Sequence, residues 1–414
     1  MFKSAVIAAV ALLITAVSAF GQEPPANPLP EVLDARVSTT PQRARLVLDL
    51  AAPTQFAIVS LDNPNRIAID VKASGLEFTE LTPVAGEGIV ASYNVEMAES
   101  GRARTTLTLS APAQVQQAYV LDPFADQPAR LVVDIIPMDP AGFAAKVAAD
   151  LAASTVKQQA DMAADEPTRP GASNIEAKTR PLVVIDPGHG GVDSGARGPD
   201  GVMEKDLVLA FALKLQDLLT ESGRFDVALT REDDSFLKLE DRVALARQNK
   251  ADLFISIHAD SFQQPDIRGL SVYTRDENAT DVLDRVLADT ENKADIIAGL
   301  APPESATSVV DLLVDLMRRE MRRQSYEAAQ SIVHQVEPSV ALRKFPVRQA
   351  NFLVLQAPDV PSILVELGFL SNAHDIANLQ QSGWQDRTAE AVARGISAYF
   401  DELAQGNEQA SAEK

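Results

Sequence analysis

Two histidines and two glutamates stand where their side chains could act together. His189 follows the apolar run 182–185 and the break Asp186-Pro187, His258 ends the apolar run 252–258 (DLFISIH), and Glu366 ends the apolar run SILVE. Glu204 closes a loop containing Gly188, Gly190, Gly191, Gly195, Gly198 and Gly201, just ahead of an amphipathic run beginning near Asp206. Pro187 cannot donate to a strand ladder, so the first strand stops there. The glycines let backbone approach a ligand closely. Strand ends are where open α/β sheets bind ligands. His189, Glu204 and His258 form the three-ligand complement of a catalytic zinc that keeps one position for water. A glutamate closing a buried strand is costly without a partner or a task, which singles out Glu366. His334 and His374 lie in polar helical surroundings and read as solvated.

The elements that must position these groups follow from periodicity. Leu207, Phe211, Leu215, Leu218 and Leu219 recur at helical spacing up to Ser222-Gly223. Residues 225–229 read as a strand, 239–250 as a helix, 269–273 and 352–355 as further strands, and 386–404 as a helix, leaving 405–414 as a disordered tail. Strands alternating with helices predict an α/β domain with helices on both sheet faces. If its strands are parallel, the ends carrying His189, His258 and Glu366 meet at one edge. Between Tyr273 and Phe352 the chain makes a long detour with two expected helices, 281–300 and 308–336. The second carries Val309, Val310, Leu312, Leu313, Leu316, Met317 and Met321, wide enough for core packing and for docking a partner.

At 414 residues the chain suits two domains, and 46% hydrophobic residues can fill two cores. A net charge of −21 argues against nucleic acid or an anionic membrane as partner. The absence of cysteine removes disulfides and thiol chemistry. Lys3, the apolar run 5–14 and the small residues at 17–21 predict a signal peptide over 1–21 and an exported protein; no later stretch is long enough to span a membrane. Residues 22–31 are proline-rich. From 32 to 136 short alternating runs predict strands, and they contain a repeat: 44–71 matches 103–135. Arg45 corresponds to Arg104, Ala52-Pro53 to Ala111-Pro112, Leu61-Asp62 to Leu121-Asp122, and Arg66 and Asp70 to Arg130 and Asp134. Two copies predict two similar sheets packed face to face. Residues 139–161 are helix-prone and 162–180 read as a flexible tether.

The repeat resembles the AMIN domain of exported cell-wall amidases, which implies a peptidoglycan-targeting β-sandwich over 30–138, followed by a linker over 139–180. DPGHGG, Glu204-Lys205, Thr230–Asp234, Arg242, SIHAD and PSILVELGFLSN together resemble the zinc-dependent N-acetylmuramoyl-L-alanine amidases of the Amidase_3 type. Over 181–404 the resemblance implies a mixed sheet flanked by helices, with His189, Glu204 and His258 as Zn2+ ligands and Glu366 as catalytic acid/base. It also implies a periplasmic enzyme of daughter-cell separation. Its regulatory helical insertion, about 278–336, would occlude the site until a LytM-type activator docks, with Glu291 in the ENKAD stretch as the candidate carboxylate; the alternative is a helix pair that merely packs on the sheet, with Glu291 solvated. A catalytically silent envelope-binding protein, or a zinc peptidase acting within the stem peptide, are the alternatives that the residues alone leave open.

Overall fold

The computed structural model describes residues 29–98, 101–124, 127–163, 180–300 and 312–412. The expected signal peptide, the proline-rich start and most of the tether lie outside them. The N-terminal unit is a β-sandwich of β1 (Glu31–Thr39), β2 (Ala44–Leu50), β3 (Phe56–Leu61), β4 (Arg66–Lys72), β5 (Gly75–Leu76), β6 (Val90–Ala98), β7 (Arg102–Leu109), β8 (Ala113–Leu121) and β9 (Ala129–Pro137). One sheet has the order β5-β1-β2-β9-β8, the other β3-β4-β7-β6. Leu46, Leu48, Ile67, Ile69, Leu107, Leu131 and Val133, alternate residues of their strands, fill the space between them.

Each copy of the repeat is divided between the sheets rather than forming one of its own. The first copy contributes β2 to one sheet and the β3–β4 hairpin to the other, and the second contributes β7 and β8–β9 the opposite way round. β2 therefore pairs antiparallel with β9, and β4 with β7. Repeat-equivalent charges meet across the copies. Arg45 clasps Asp134 with two bonds of 2.8 and 2.9 Å, and Arg104 clasps Asp70 with two of 2.6 and 2.7 Å.

Helix α1 (Pro140–Ala163) follows. Its Phe143 is buried in the sandwich core, so the first part of the expected linker belongs to this domain. The domains are also in contact. Tyr119 Oη donates to the Val227 carbonyl at 2.6 Å, and Leu121, Phe124 and Val132 share a buried cluster with Leu182, Ala228 and Leu245.

The second domain comprises β10 (Leu182–Pro187), α2 (Glu204–Glu221), β11 (Asp226–Leu229), α3 (Leu239–Gln248), β12 (Leu253–His258), β13 (Leu270–Arg275), α4 (Val282–Glu291), α5 (Ala294–Ile297), α6 (Leu312–Val336), β14 (Leu342–Ala350), β15 (Ser362–Glu366), α7 (Ala373–Leu379) and α8 (Ser382–Ala412). Its sheet has the order β11-β10-β12-β15-β13-β14. The first four are parallel, β13 runs antiparallel to β15, and β14 runs parallel to β13. The ends of β10, β12 and β15 thus share one edge, as the apolar runs imply.

Four further expectations need correction. Residues 353–355 form a 3-10 turn, and the sixth strand is β14. That strand, LRKFPVRQA, is a half-exposed edge whose charges and Pro346 conceal it from pattern reading. The helix expected over 281–300 breaks after Glu291, where the Asn292 side chain bonds the Asn351 carbonyl and the Leu353 amide instead. The later part of α6 is no insertion: Ala328, Ala329, Ile332 and Val336 are wholly buried in the main core. Its earlier apolar residues, Val309 to Leu316, lie outside the described side chains. The expected disordered tail continues α8 to Ala412, through residues that are mostly good helix formers.

Candidate metal centre

The loop after β10 is held from below by two buried arginines. Arg231 donates to the carbonyls of Pro187, Gly188 and Lys205 at 3.0, 2.7 and 3.0 Å. Arg242 donates to those of Pro187 and His189 at 2.9 and 2.8 Å. Asp186 ties the base together, accepting from Arg242, Thr230 and Ser256 at 2.9, 2.6 and 2.7 Å. Burial opposes the Asp186 charge, but Arg242 and the two hydroxyls hold its pKa below the ordinary carboxylate range. Pinned this way, His189 adopts φ +58°, a left-handed conformation rare for a residue with a Cβ. Two glycines are sterically required. A Cβ on Gly188 would stand 2.4 Å from the His258 ring, and one on Gly195 2.6 Å from both Glu204 and His189.

His189 Nδ1 lies 2.8 Å from Asp193 Oδ2, which turns Nε2 into the site. Glu204, the first residue of α2, is fully buried. Its Oε2 accepts from Ala196 N and its Oε1 from Ala259 N, both at 2.8 Å. Oε1 also stands 3.1 Å from His189 Nε2 and 3.2 Å from His258 Nδ1. From the opposite side Glu291 Oε2 approaches the same nitrogens, at 3.5 and 3.1 Å. A tetrahedral ion with bonds of about 2.0 Å separates its ligands by roughly 3.3 Å, so these distances fit such an ion. Apart from the Glu204 and Glu291 carboxylates, His189 Nε2 is buried with no hydrogen-bond partner among the described residues. His189, His258 and Glu291 form a cluster whose donor atoms are close enough to share an ion, and Glu204 Oε1, within 3.2 Å of the same two histidines, is a further donor.

Charge makes the same case. Glu204, Asp260, Glu291 and Glu366 crowd two imidazoles, while Arg231 and Arg242 are spent on the loop. Burial, then neighbouring charges, push Glu291 and Glu366 well above the usual carboxylate range, and Asp260 up to about 7. Burial likewise opposes charge on His189, yet Glu204 and Glu291 raise its pKa well above normal. A bound dication would relieve this excess of buried acid. Glu366 pairs in register with His258 across β12 and β15. Its Oε2 accepts from Asp260 N at 3.1 Å, while Oε1 is buried with no hydrogen-bond partner among the described residues.

All five residues singled out from the sequence therefore stand at one sheet edge. His334 and His374 are exposed, as read. The sequence alone assigns no role to Asp193, nor to Arg231 beyond its place in the Thr230–Asp234 motif. The first is four residues beyond a loop histidine and the second sits beside Thr230 after a buried strand, signals that gain meaning only once the loop's path is known. The cavity between Glu291 and the histidines measures about 10 Å³, no more than a single water needs.

Both domains have counterparts among known proteins. Residues 183–398 match the Amidase_3 family, described as N-acetylmuramoyl-L-alanine amidase, and residues 34–135 match the AMIN domain. The N-acetylmuramoyl-L-alanine amidase AmiC of Neisseria meningitidis serogroup B is 31% identical over 381 residues, 90% of each chain. AmiC of Escherichia coli O6:H1 is 32% identical over 89% of each chain. Among solved structures, the amidase AmiC2 of Nostoc punctiforme is 31% identical, spanning 53% of this chain and 97% of its own, with a TM-score of 0.39.

Proposed function

Since the chain belongs to the N-acetylmuramoyl-L-alanine amidase family, with an AMIN domain ahead of its catalytic unit, we propose that it cleaves the lactyl–L-alanine amide of peptidoglycan with zinc held by His189, Glu204 and His258. The observation that carries this reading is the convergence of their donor atoms at tetrahedral spacing, 3.1 and 3.2 Å apart. Zinc in such a set supplies Lewis acidity, polarising a carbonyl and lowering the pKa of water toward about 7. The chain supplies the rest. Asp193 fixes the His189 tautomer, Glu204 is held by two amides, and the unpartnered Glu366 Oε1 takes the proton of the attacking water and returns it to the leaving amine. A peptidase acting within the stem would leave L-alanine on the muramyl lactate. Mass analysis of products from purified peptidoglycan, with and without chelator, decides between the two. Stem peptides beginning with L-alanine, lost on chelation, are expected.

Glu291 occupies the position a water or substrate needs, so this conformation is a self-inhibited one. Support comes from α4 itself: its buried face, Asp284, Leu287, Ala288 and Glu291, follows helical spacing into the site, while Val282 and Val286 are 70% and 53% exposed. With Ile296 and Ile297 these side chains form an apolar outer face suited to a LytM-type activator that draws α4 outward. Exported to the periplasm, such an enzyme serves wall remodelling and daughter-cell separation.

A further inference from the structure

Edge strand β14 carries a second oddity of backbone and exposure. Leu270 pairs with Leu342 and Val272 with Val347, so residues 343–346 bulge outward opposite Ser271. Ser271 in turn faces Glu366 on β15. The bulge therefore lies at the catalytic end of the sheet, two strand spacings or about 10 Å from Glu366. Within it Phe345 has φ +56° and is 69% exposed. A bulky aromatic residue in the left-handed region is strained, and here it gains little burial in exchange. The strain is also held in place. Arg348 donates to the carbonyls of Lys344 and Phe345 at 3.2 and 3.3 Å, and the same guanidinium is paired with buried Asp284. On the inner side of the bulge, Arg343 covers the rings of Phe262 and Phe369, which belong to the loops following His258 and Glu366.

We propose that Phe345 is a stacking platform for a saccharide ring of the glycan strand whose lactyl amide the site cleaves, an inference that rests on the amidase reading. The ammonium of Lys344 lies over the phenyl ring, 5.3 Å from its centre, and Phe345 remains largely exposed. A pyranose offers a flat face of weakly positive C–H groups, which suits the negative face of an aromatic ring, and hydroxyls for the adjacent ammonium. The strained, clamped bulge keeps the ring from folding back onto the protein, so it meets the glycan already ordered.

The test uses the full chain. Phe345→Trp replaces one aromatic by another and introduces a reporter, since the single native tryptophan, Trp384, is buried. Titration with a β-1,4 tetramer of N-acetylglucosamine, which holds no scissile amide, should change the emission of the introduced indole saturably while the parent shows no change. In parallel, in a Glu291→Ala background, Phe345→Ala should raise KM for sacculi roughly tenfold with kcat retained, and Phe345→Trp should restore it. Unchanged emission from the Phe345→Trp variant overturns the platform, as does a response to free stem peptide but not to the tetramer, or a KM for Phe345→Trp no better than for Phe345→Ala. If the Glu291→Ala enzyme instead releases stem fragments that do not begin with L-alanine, the amidase reading falls, and the fluorescence arm does not depend on it.

Discussion

The carboxyl and imidazole groups of the site do different work, and single substitutions should separate them. Replacing His258 with Ala removes one donor of the set and should strip most bound metal along with all hydrolysis. Glu366→Gln leaves the donors intact. It should keep the metal, measured by emission spectroscopy, yet lose roughly two to four orders of magnitude in kcat. Full metal content in His258→Ala would end the ligand assignment, and near-parental turnover in Glu366→Gln would make that glutamate structural. Asp193 acts one bond further out. Its carboxylate, 2.8 Å from His189 Nδ1, fixes the ring, so Asp193→Ala should weaken metal affinity by roughly 10- to 100-fold. A chelator competition series reads this directly, and unchanged affinity would show that the pinned backbone of His189 orients the ring unaided.

Helix α4 is fastened unequally at its two ends. Near its start, buried Asp284 accepts from Tyr273, Arg343 and Arg348 at 2.9, 2.9 and 2.8 Å. At its end stand Glu291, facing two histidines, and Asn292, whose amide reaches residues 351 and 353 at the surface. The first anchor is buried charge and hard to part with; the second is the one that can let go. Glu291→Lys replaces a donor with a cation facing His189 and should open the site, which needs about 5.5 kcal/mol to go from 99:1 closed to 1:99. Sacculi should then release dye without any partner, and an inert variant with intact metal and fold would refute self-inhibition. Deleting the whole of 278–334 is no substitute, because it removes Ala328, Ala329 and Ile332 from the core. That limit is not legible in the sequence: the later half of α6 looks as amphipathic as a surface helix, and only its packing on α8, where a Cβ on Gly395 would stand 2.5 Å from Ile332 Cα, shows it to be interior. The strands behind His189, His258 and Glu366 are legible because each is an unbroken apolar run cut short by a polar residue. β14 is not, because an edge strand with one neighbour has no need to be apolar.

At the scale of the molecule, the sandwich does more than trail on a tether. It covers Leu182 and Ala228 on the catalytic domain and bonds β11 through Tyr119. A chain lacking residues 29–138 should lose about 3 kcal/mol of that burial, a drop of roughly 10 °C in Tm. In the Glu291→Lys background its turnover of a small soluble muramyl peptide should be unchanged, since none of the described site residues comes from the sandwich. Calorimetry with a parallel rate assay checks both, and an unaltered Tm would mean that the interface contributes nothing.

The crossed clasp of Arg45 with Asp134 and Arg104 with Asp70 has a consequence of its own. Each copy of the repeat holds the positive half of one clasp and the negative half of the other, so no copy is satisfied by itself but two identical copies are. That is the self-complementarity of a two-fold homodimer, here joined end to end in one polypeptide. The sandwich thus has the logic of a symmetric pair built within one chain. With the second copy covalently attached, pairing does not depend on concentration. The two clasps differ in their setting: Arg45 and Asp134 are buried, while Arg104 of the other clasp faces water.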